Sequence, residues 1–287
     1  MGKARWTGLL LIAVLVVAAT AHADGDALLI ASWNLMKLGE ESPVAARAEV
    51  IKLFDLVAVQ EVLALSGLDR LTEQLRCLTG VDWSYVASPR VGDGNASEYY
   101  AFIYRTDRVL HVAGAGGAYP EAAPTEFSRE PFFASFRAGA FDFTLITVHI
   151  TWGASASERT EECQRLAEVW SYVQALDPVE NDVILVGDFN RDRPTHSAFD
   201  PLWELGLVPV LESGGTRTTF GRTAWGGSFY DNLWIDRSHT GTEITDVYGA
   251  GTPLENTLGR GCPDTLRDAS DHCPVWAAFV TTHDDDP

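Results

Sequence analysis

Lysine is nearly missing from this sequence. Only Lys3, Lys37 and Lys52 occur among 21 basic residues, against 40 acidic ones, for a formal net charge of −19. A broad cationic surface for gripping a polyanion is thereby excluded. A phosphate-bearing substrate would have to be held locally, by a few arginines and a bound cation. The acid excess by itself reads as a device for solubility or for a saline habitat. Cysteine is scarce too: Cys77, Cys163, Cys262 and Cys273 include no Cys-x-x-Cys pair and no zinc-type spacing. There is no Walker loop and no Gly-x-Ser-x-Gly nucleophile elbow. Low-complexity tracts and fixed-period repeats are absent. An apolar content of 46% excludes a disordered chain.

What is present begins with an export signal. Lys3 and Arg5 form a basic n-region, Leu9 to Ala19 is an unbroken apolar run of 11 residues, and Ala21-His22-Ala23 supplies a small-x-small cleavage site. The run is too short for a comfortable membrane span, and no later stretch approaches one. Residues 1–23 are therefore expected to be a signal peptide and the mature protein to be secreted or periplasmic. Loss of Lys3 and Arg5 takes the formal net charge from −19 to −21. Export permits disulfides. Cys262 with Cys273 would close a short loop; a Cys77–Cys163 bridge is a guess, and free thiols stay open for both pairs.

Short apolar runs recur along the rest of the chain, most of them ending on polar residues. Leu28–Ser32 leads into Trp33-Asn34, Leu56–Val59 into Gln60-Glu61, Ala101–Tyr104 into Arg105, Phe143–Val148 into His149, and Val183–Val186 into Gly187-Asp188-Phe189-Asn190. Leu233–Ile235 follows Tyr230-Asp231-Asn232, and Pro274–Val280 follows Ser270-Asp271-His272. Such runs read as buried strands covered on both faces. Helical spacing of apolar residues marks Ser42–Phe54, Leu68–Leu78 and Ser157–Leu176. Joins rich in Gly or Pro fall at Ser88–Gly94, Gly114–Pro124 and Gly214–Gly227. Each half runs strand, helix, strand. The expected architecture is one domain over 24–282, built of two packed sheets with outer helices, their polar strand ends meeting in one cleft. Residues 283–287, with three consecutive Asp, read as a frayed acidic tail.

The strand ends together offer Asn34, Glu61, Glu98, His149, Asp188, Asn190, Asp231, Asp271 and His272. Carboxylates and amide oxygens are ligands for a hard divalent cation. An acid bonded to an imidazole fixes its tautomer and raises its basicity. Water activated by a metal and an imidazole is the chemistry these parts support, with phosphate esters as the target.

The ordered series Ser32-Trp33-Asn34-Leu35, Gln60-Glu61-Val62, Val148-His149, Gly187-Asp188-Phe189-Asn190, Tyr230-Asp231-Asn232 and Ser270-Asp271-His272-Cys273-Pro274-Val275 resembles the endonuclease/exonuclease/phosphatase superfamily. Glu98-Tyr99-Tyr100-Ala101-Phe102-Ile103-Tyr104-Arg105 and Phe127-Ser128-Arg129-Glu130-Pro131 further resemble its deoxyribonuclease I branch. The resemblance implies a four-layer α/β/β/α sandwich of two mixed sheets. It implies that Glu61, with Asn34 and Asp271, holds Mg2+, with Mn2+ or Ca2+ as alternatives. It implies that His149 oriented by Glu98 and His272 oriented by Asp231 form an acid/base pair. Asp188 and Asn190 would position the attacking water and the phosphoryl oxygens, and Arg129 would neutralise charge on the transition state. The chain departs from that branch at Met36 and Leu63, where the branch carries basic residues aimed at the DNA groove.

The expected function is thus an exported, metal-dependent phosphodiesterase acting as a monomer on DNA, with little sequence preference. A secreted sphingomyelinase or phosphatase acting on phospholipid or small phosphate esters is the alternative on the same fold. A non-catalytic protein-binding module is the alternative of another class. His111, His196 and His239 read as surface residues. Trp83, Trp170 and Trp276 read as core, and Trp152 and Trp225 as cleft lining.

Overall fold

The strand β1 (Ala27–Leu38) shows how the layers arise. Side chains alternate across a strand, and here both faces are covered. Leu28 and Ile30 join a core between two sheets, while Ala31, Trp33 and Leu35 join a second core beneath helices. The computed structural model describes residues 26–286 apart from 93, 95–96, 122–125, 154, 213–216, 221–226 and 258–263. The expected signal peptide, Cys262 and Trp225 lie outside the described residues.

The first sheet contains β1, β2 (Leu56–Val62), β3 (Trp83–Ala87), β4 (Tyr99–Arg105), β11 (Ile244–Ala250) and β12 (Val275–Val280), ordered β11-β12-β1-β2-β4-β3. The second contains β5 (Leu110–Ala118), β6 (Phe132–Ala138), β7 (Phe141–His149), β8 (Val183–Asp188), β9 (Leu207–Pro209) and β10 (Asp231–Asp236), ordered β5-β6-β7-β8-β10-β9. Each sheet holds one parallel pair, β1 with β2 and β7 with β8, and is otherwise antiparallel. A parallel pair needs a crossover. Helix α1 (Ala45–Ile51) lies between β1 and β2, and α3 (Ala156–Leu176) between β7 and β8. Helix α2 (Leu65–Thr79) follows β2, and α4 (Asp200–Glu204) follows β8. The expected sandwich of two mixed sheets with outer helices is the observed one.

Aromatic rings fill the space between the sheets. Phe141 stacks on Phe143 at 4.7 Å and on Phe279 at 5.6 Å, and Phe102 stacks on Phe132 at 5.5 Å. Each such side chain contributes roughly 1.5–3 kcal/mol through burial. On the outer side of the second sheet, α3 buries Leu166, Val169, Trp170 and Val173. Trp83, Trp170 and Trp276 are buried, as read from the sequence.

Three expectations are corrected. The Gly114–Pro124 join is strand as far as Ala118, because β5 is an edge strand defined by pairing with β6 rather than by its own apolar pattern. Cys77 and Cys163 are free thiols, the first exposed and the second buried. Cys273 is in a disulfide. The tail is docked through its carboxylates: Asp284 Oδ2 accepts from the Asp142 N–H at 2.9 Å, and Asp286 Oδ1 from the Asn181 N–H at 3.0 Å. No described helix is long and apolar enough to cross a membrane.

Candidate active site

Register brings the second sheet's polar residues side by side. β7 and β8 are aligned so that His149 lies opposite Asp188, and β8 and β10 so that Asp188 lies opposite Asp231. On the first sheet Asn34 lies opposite Gln60 at the matching end of the parallel pair. The same end of both sheets therefore carries the acids and the histidines.

Two carboxylate–imidazole pairs stand there. His149 Nδ1 is 3.0 Å from Glu98 Oε1, and His272 Nδ1 is 2.9 Å from Asp231 Oδ2. In each pair the carboxylate fixes Nδ1 as the protonated nitrogen and frees Nε2. Both free Nε2 atoms face one oxygen, Asp188 Oδ2, at 3.7 Å from His149 and 3.5 Å from His272. Burial alone would lower the pKa of His149, but Glu98 and then Asp188 outweigh it and raise the value. The same contest at His272 is won by Asp231 and Asp188, again upward.

Glu98 is held from three sides. Besides His149, it accepts from the Glu61 backbone N–H at 3.2 Å and pairs with Arg129 Nε at 3.1 Å. Arg129 Nη1 also donates to the His149 carbonyl at 3.2 Å. Asn34 Nδ2 donates to Glu61 Oε1 at 3.1 Å and to Asp188 Oδ2 at 3.2 Å, while its Oδ1 accepts from the Met36 N–H at 2.9 Å. Asn34 thus spaces two carboxylates with its amide and commits its oxygen to the backbone. Asn190 donates its amide to the Ile150 carbonyl, and its own N–H goes to Asp188 Oδ1. Asp271 is exposed, and its charge adds to the upward shift of His272.

Backbone strain concentrates here. Among the described residues, Met36, Lys37, Glu61, Asn190 and Arg193 are the non-glycine residues at positive φ. Met36 and Lys37 lie in the last residues of β1, Glu61 near the end of β2, and Asn190 and Arg193 in the segment after β8, where strain marks positions that the surroundings over-determine. Gly187 has a φ of 147°, and a Cβ there would meet the Val148 carbonyl oxygen at 2.1 Å. The sheet closes at that distance only with glycine before Asp188.

No protein-family model matches the sequence. A deoxyribonuclease of Thioalkalivibrio sp. (strain K90mix) is 33% identical over 294 residues, covering 96% of this chain and 76% of that protein. The chain belongs to the deoxyribonuclease I-like branch of the endonuclease/exonuclease/phosphatase superfamily. Human deoxyribonuclease-1 is 27% identical, covering 93% of this chain and 98% of its own length. The fold matches the mannosyl-6-phosphatase of Bacteroides thetaiotaomicron with a TM-score of 0.59 at 21% identity, over 88% and 99% of the two chains. The protein is a phosphodiester hydrolase.

Several side chains that support this deoxyribonuclease-like centre were given no role by the sequence, although most of them lie within its motifs. Tyr100 Oη accepts from the His149 N–H at 3.0 Å. Ser270 Oγ donates to the Asn34 carbonyl at 2.6 Å and accepts from the His272 N–H, and Trp33 Nε1 donates to the His272 carbonyl at 2.8 Å. Gln60 Nε2 reaches Ser32 Oγ at 3.1 Å and, across the sheets, Thr147 Oγ1 at 2.9 Å. Buried Glu162 of α3 accepts from the Ser128 N–H at 2.7 Å and the Thr151 N–H at 2.9 Å, fixing the loops that carry Arg129 and follow His149. A signal existed for Glu162, an acid in line with the apolar stripe of Leu166, Val169 and Val173. On the rim, Trp152 is 58% exposed, lies under Arg159 at 4.4 Å and faces Tyr230 at 5.9 Å. Met36 and Leu63 are each 38% exposed. His196 caps a short turn through the Ala198 N–H, His111 packs on Phe136, and His239 is exposed.

Proposed function

We propose that the protein is an exported, metal-dependent endonuclease that hydrolyses DNA with little sequence preference. The observation that carries this reading is the convergence of two carboxylate-backed imidazoles on Asp188 Oδ2. One imidazole takes the proton of the attacking water as the other protonates the leaving oxygen. Glu98 and Asp231 orient them and stabilise the imidazolium. Asp188 and Asn190 position the water and the phosphoryl oxygens, and Arg129, already preorganised on Glu98 and the His149 carbonyl, neutralises charge gathering in the transition state.

The residues present fit a hard divalent cation, Mg2+ by the resemblance. Asn34 holds Glu61 and Asp188 within reach of one amide group, through Glu61 Oε1 and Asp188 Oδ2. Glu61 would hold the ion, with Asn34 steadying it. When bound, such an ion neutralises a phosphate oxygen and makes phosphorus more electrophilic. The group Asp188, Asp231 and His272 also has ligand atoms within 4.8 Å of one another, but there Asp231 is engaged by His272. The apolar rim at Met36 and Leu63 favours, as the second reading, a phospholipid or small phosphate ester.

Supercoiled plasmid separates the two. The expected outcome is nicking in Mg2+ and its loss in chelator. An intact plasmid together with phosphocholine released from sphingomyelin would overturn the DNA reading.

A further inference from the structure

The pole opposite the cleft carries a second concentration of acid. β8 begins there and ends at Asp188 six residues on, about 20 Å away at strand spacing. Asp182, just before β8, is fully buried; the Thr240 hydroxyl stands beside it, but among the described residues neither carboxylate oxygen meets a donor in hydrogen-bonding geometry. Asp284, Asp285 and Asp286 each bring a carboxylate oxygen to it, all four lying within 4.8 Å of one another. Asp286 is also grouped with Asp142 and Glu180 at the same spacing. Buried Glu243, in the turn between β10 and β11, adds an Oε2 without a partner.

This crowding is built rather than incidental. The tail is held in place by N–H donors of Asp142 and Asn181, and Asp284 Oδ1 accepts from the Asp286 N–H at 3.0 Å. Positive charge is sparse. His283 Nε2 stands 4.0 Å from Glu243 Oε1, and Arg137 acts on Asp142. No ion pair reaches Asp182 among the described residues. An unpartnered buried carboxylate beside others costs several kcal/mol of desolvation and repulsion unless a proton or a cation accompanies it.

We infer that Asp182, Asp284, Asp285 and Asp286 form a second cation site, distinct from the cleft, that takes a divalent metal ion. Calcium suits it better than magnesium. Four carboxylates, three of whose eight oxygens also accept backbone N–H groups, offer several ligands without regular geometry, whereas magnesium keeps several waters and demands an octahedron. The ion would join the end of β12 in one sheet to the starts of β7 and β8 in the other, so its effect is on stability, not chemistry. Burial pushes Asp182 up to about 8 and Glu180 up to about 9, so protons are the competing occupant.

The test uses the full mature chain with Glu61→Gln, which silences the cleft, stripped by chelator and then given CaCl2 or MgCl2. Calorimetry is expected to count one calcium, and Tm to rise by about 5–10 °C at a hundred-fold excess over Kd. Asp182→Asn should abolish both. The surface double variant Asp284→Asn with Asp285→Asn, which keeps the buried residues, should abolish them too and carries the test if Asp182→Asn fails to fold. With Glu61 restored, Asp285→Asn should nick plasmid in Mg2+ at the wild-type rate. An unchanged calcium response in the tail variant overturns the site. So does the absence of any response in the parent with higher Tm in both variants, which would assign neutralisation to protons alone. A larger shift with magnesium than with calcium overturns the choice of ion.

Discussion

A carboxylate oxygen flanked by two imidazoles sets what single substitutions should do. His149→Ala and His272→Ala should each lower turnover by about 10²–10⁴-fold, the range of one general acid or base, with Tm and circular dichroism close to wild type. Near-normal turnover in either would refute the paired mechanism. Asp231→Asn tests the coupling. Asp231 raises the His272 pKa, so removing its charge lets that imidazole lose its proton at lower pH. The alkaline limb of the pH–rate profile should then move to lower pH, and an unmoved limb would detach His272 from that limb. Most of these residues were legible because a polar residue directly after a buried run points into the cleft by register. Asp271 differs from its neighbours in being exposed, while Ser270 and His272 on either side of it are buried.

At the level of strands and helices, positions with no side chain matter as much as those with one. Gly187→Ala puts a Cβ against the Val148 carbonyl and needs a left-handed backbone that alanine resists. It should destabilise the fold by at least about 1 kcal/mol, read as a lower midpoint in urea, and lower activity by shifting Asp188. A midpoint equal to wild type would show that β7 and β8 can separate without cost. The central strands and the helices α1, α2 and α3 were readable from periodicity because each buries a face of its own. β5 was not, since an exposed edge strand of Leu110, Val112 and small residues takes its form from β6. The docking of Asp284 and Asp286 was equally hidden, because their partners are backbone N–H groups 142 and 105 residues distant in sequence.

For the molecule as a whole, the lysine-poor, acidic composition implies little attraction to a polyanion away from the cleft. Plasmid nicking should fall with NaCl at fixed Mg2+, but less steeply than for a basic nuclease, since each neutralised phosphate contributes about 0.9 to the logarithmic slope. A steep decline would reveal cationic contacts beyond Arg129 and its neighbours. Composition made that surface legible at once, whereas the crowding of acids around Asp182 depended on chain termini and turns that only the folded state assembles.

The Gln60 amide, pinned between Ser32 on its own sheet and Thr147 on the other, works as a rivet directly below the reacting groups. With Asn34 also reaching Asp188 across the sheets, and Trp33 and Ser270 fastening the His272 segment to β1, these bonds stiffen the floor of the cleft. A stiff jaw cannot mould itself to what it bites, so the bending needed to seat a phosphodiester falls on the substrate, and pliant stretches should be cut sooner than rigid ones.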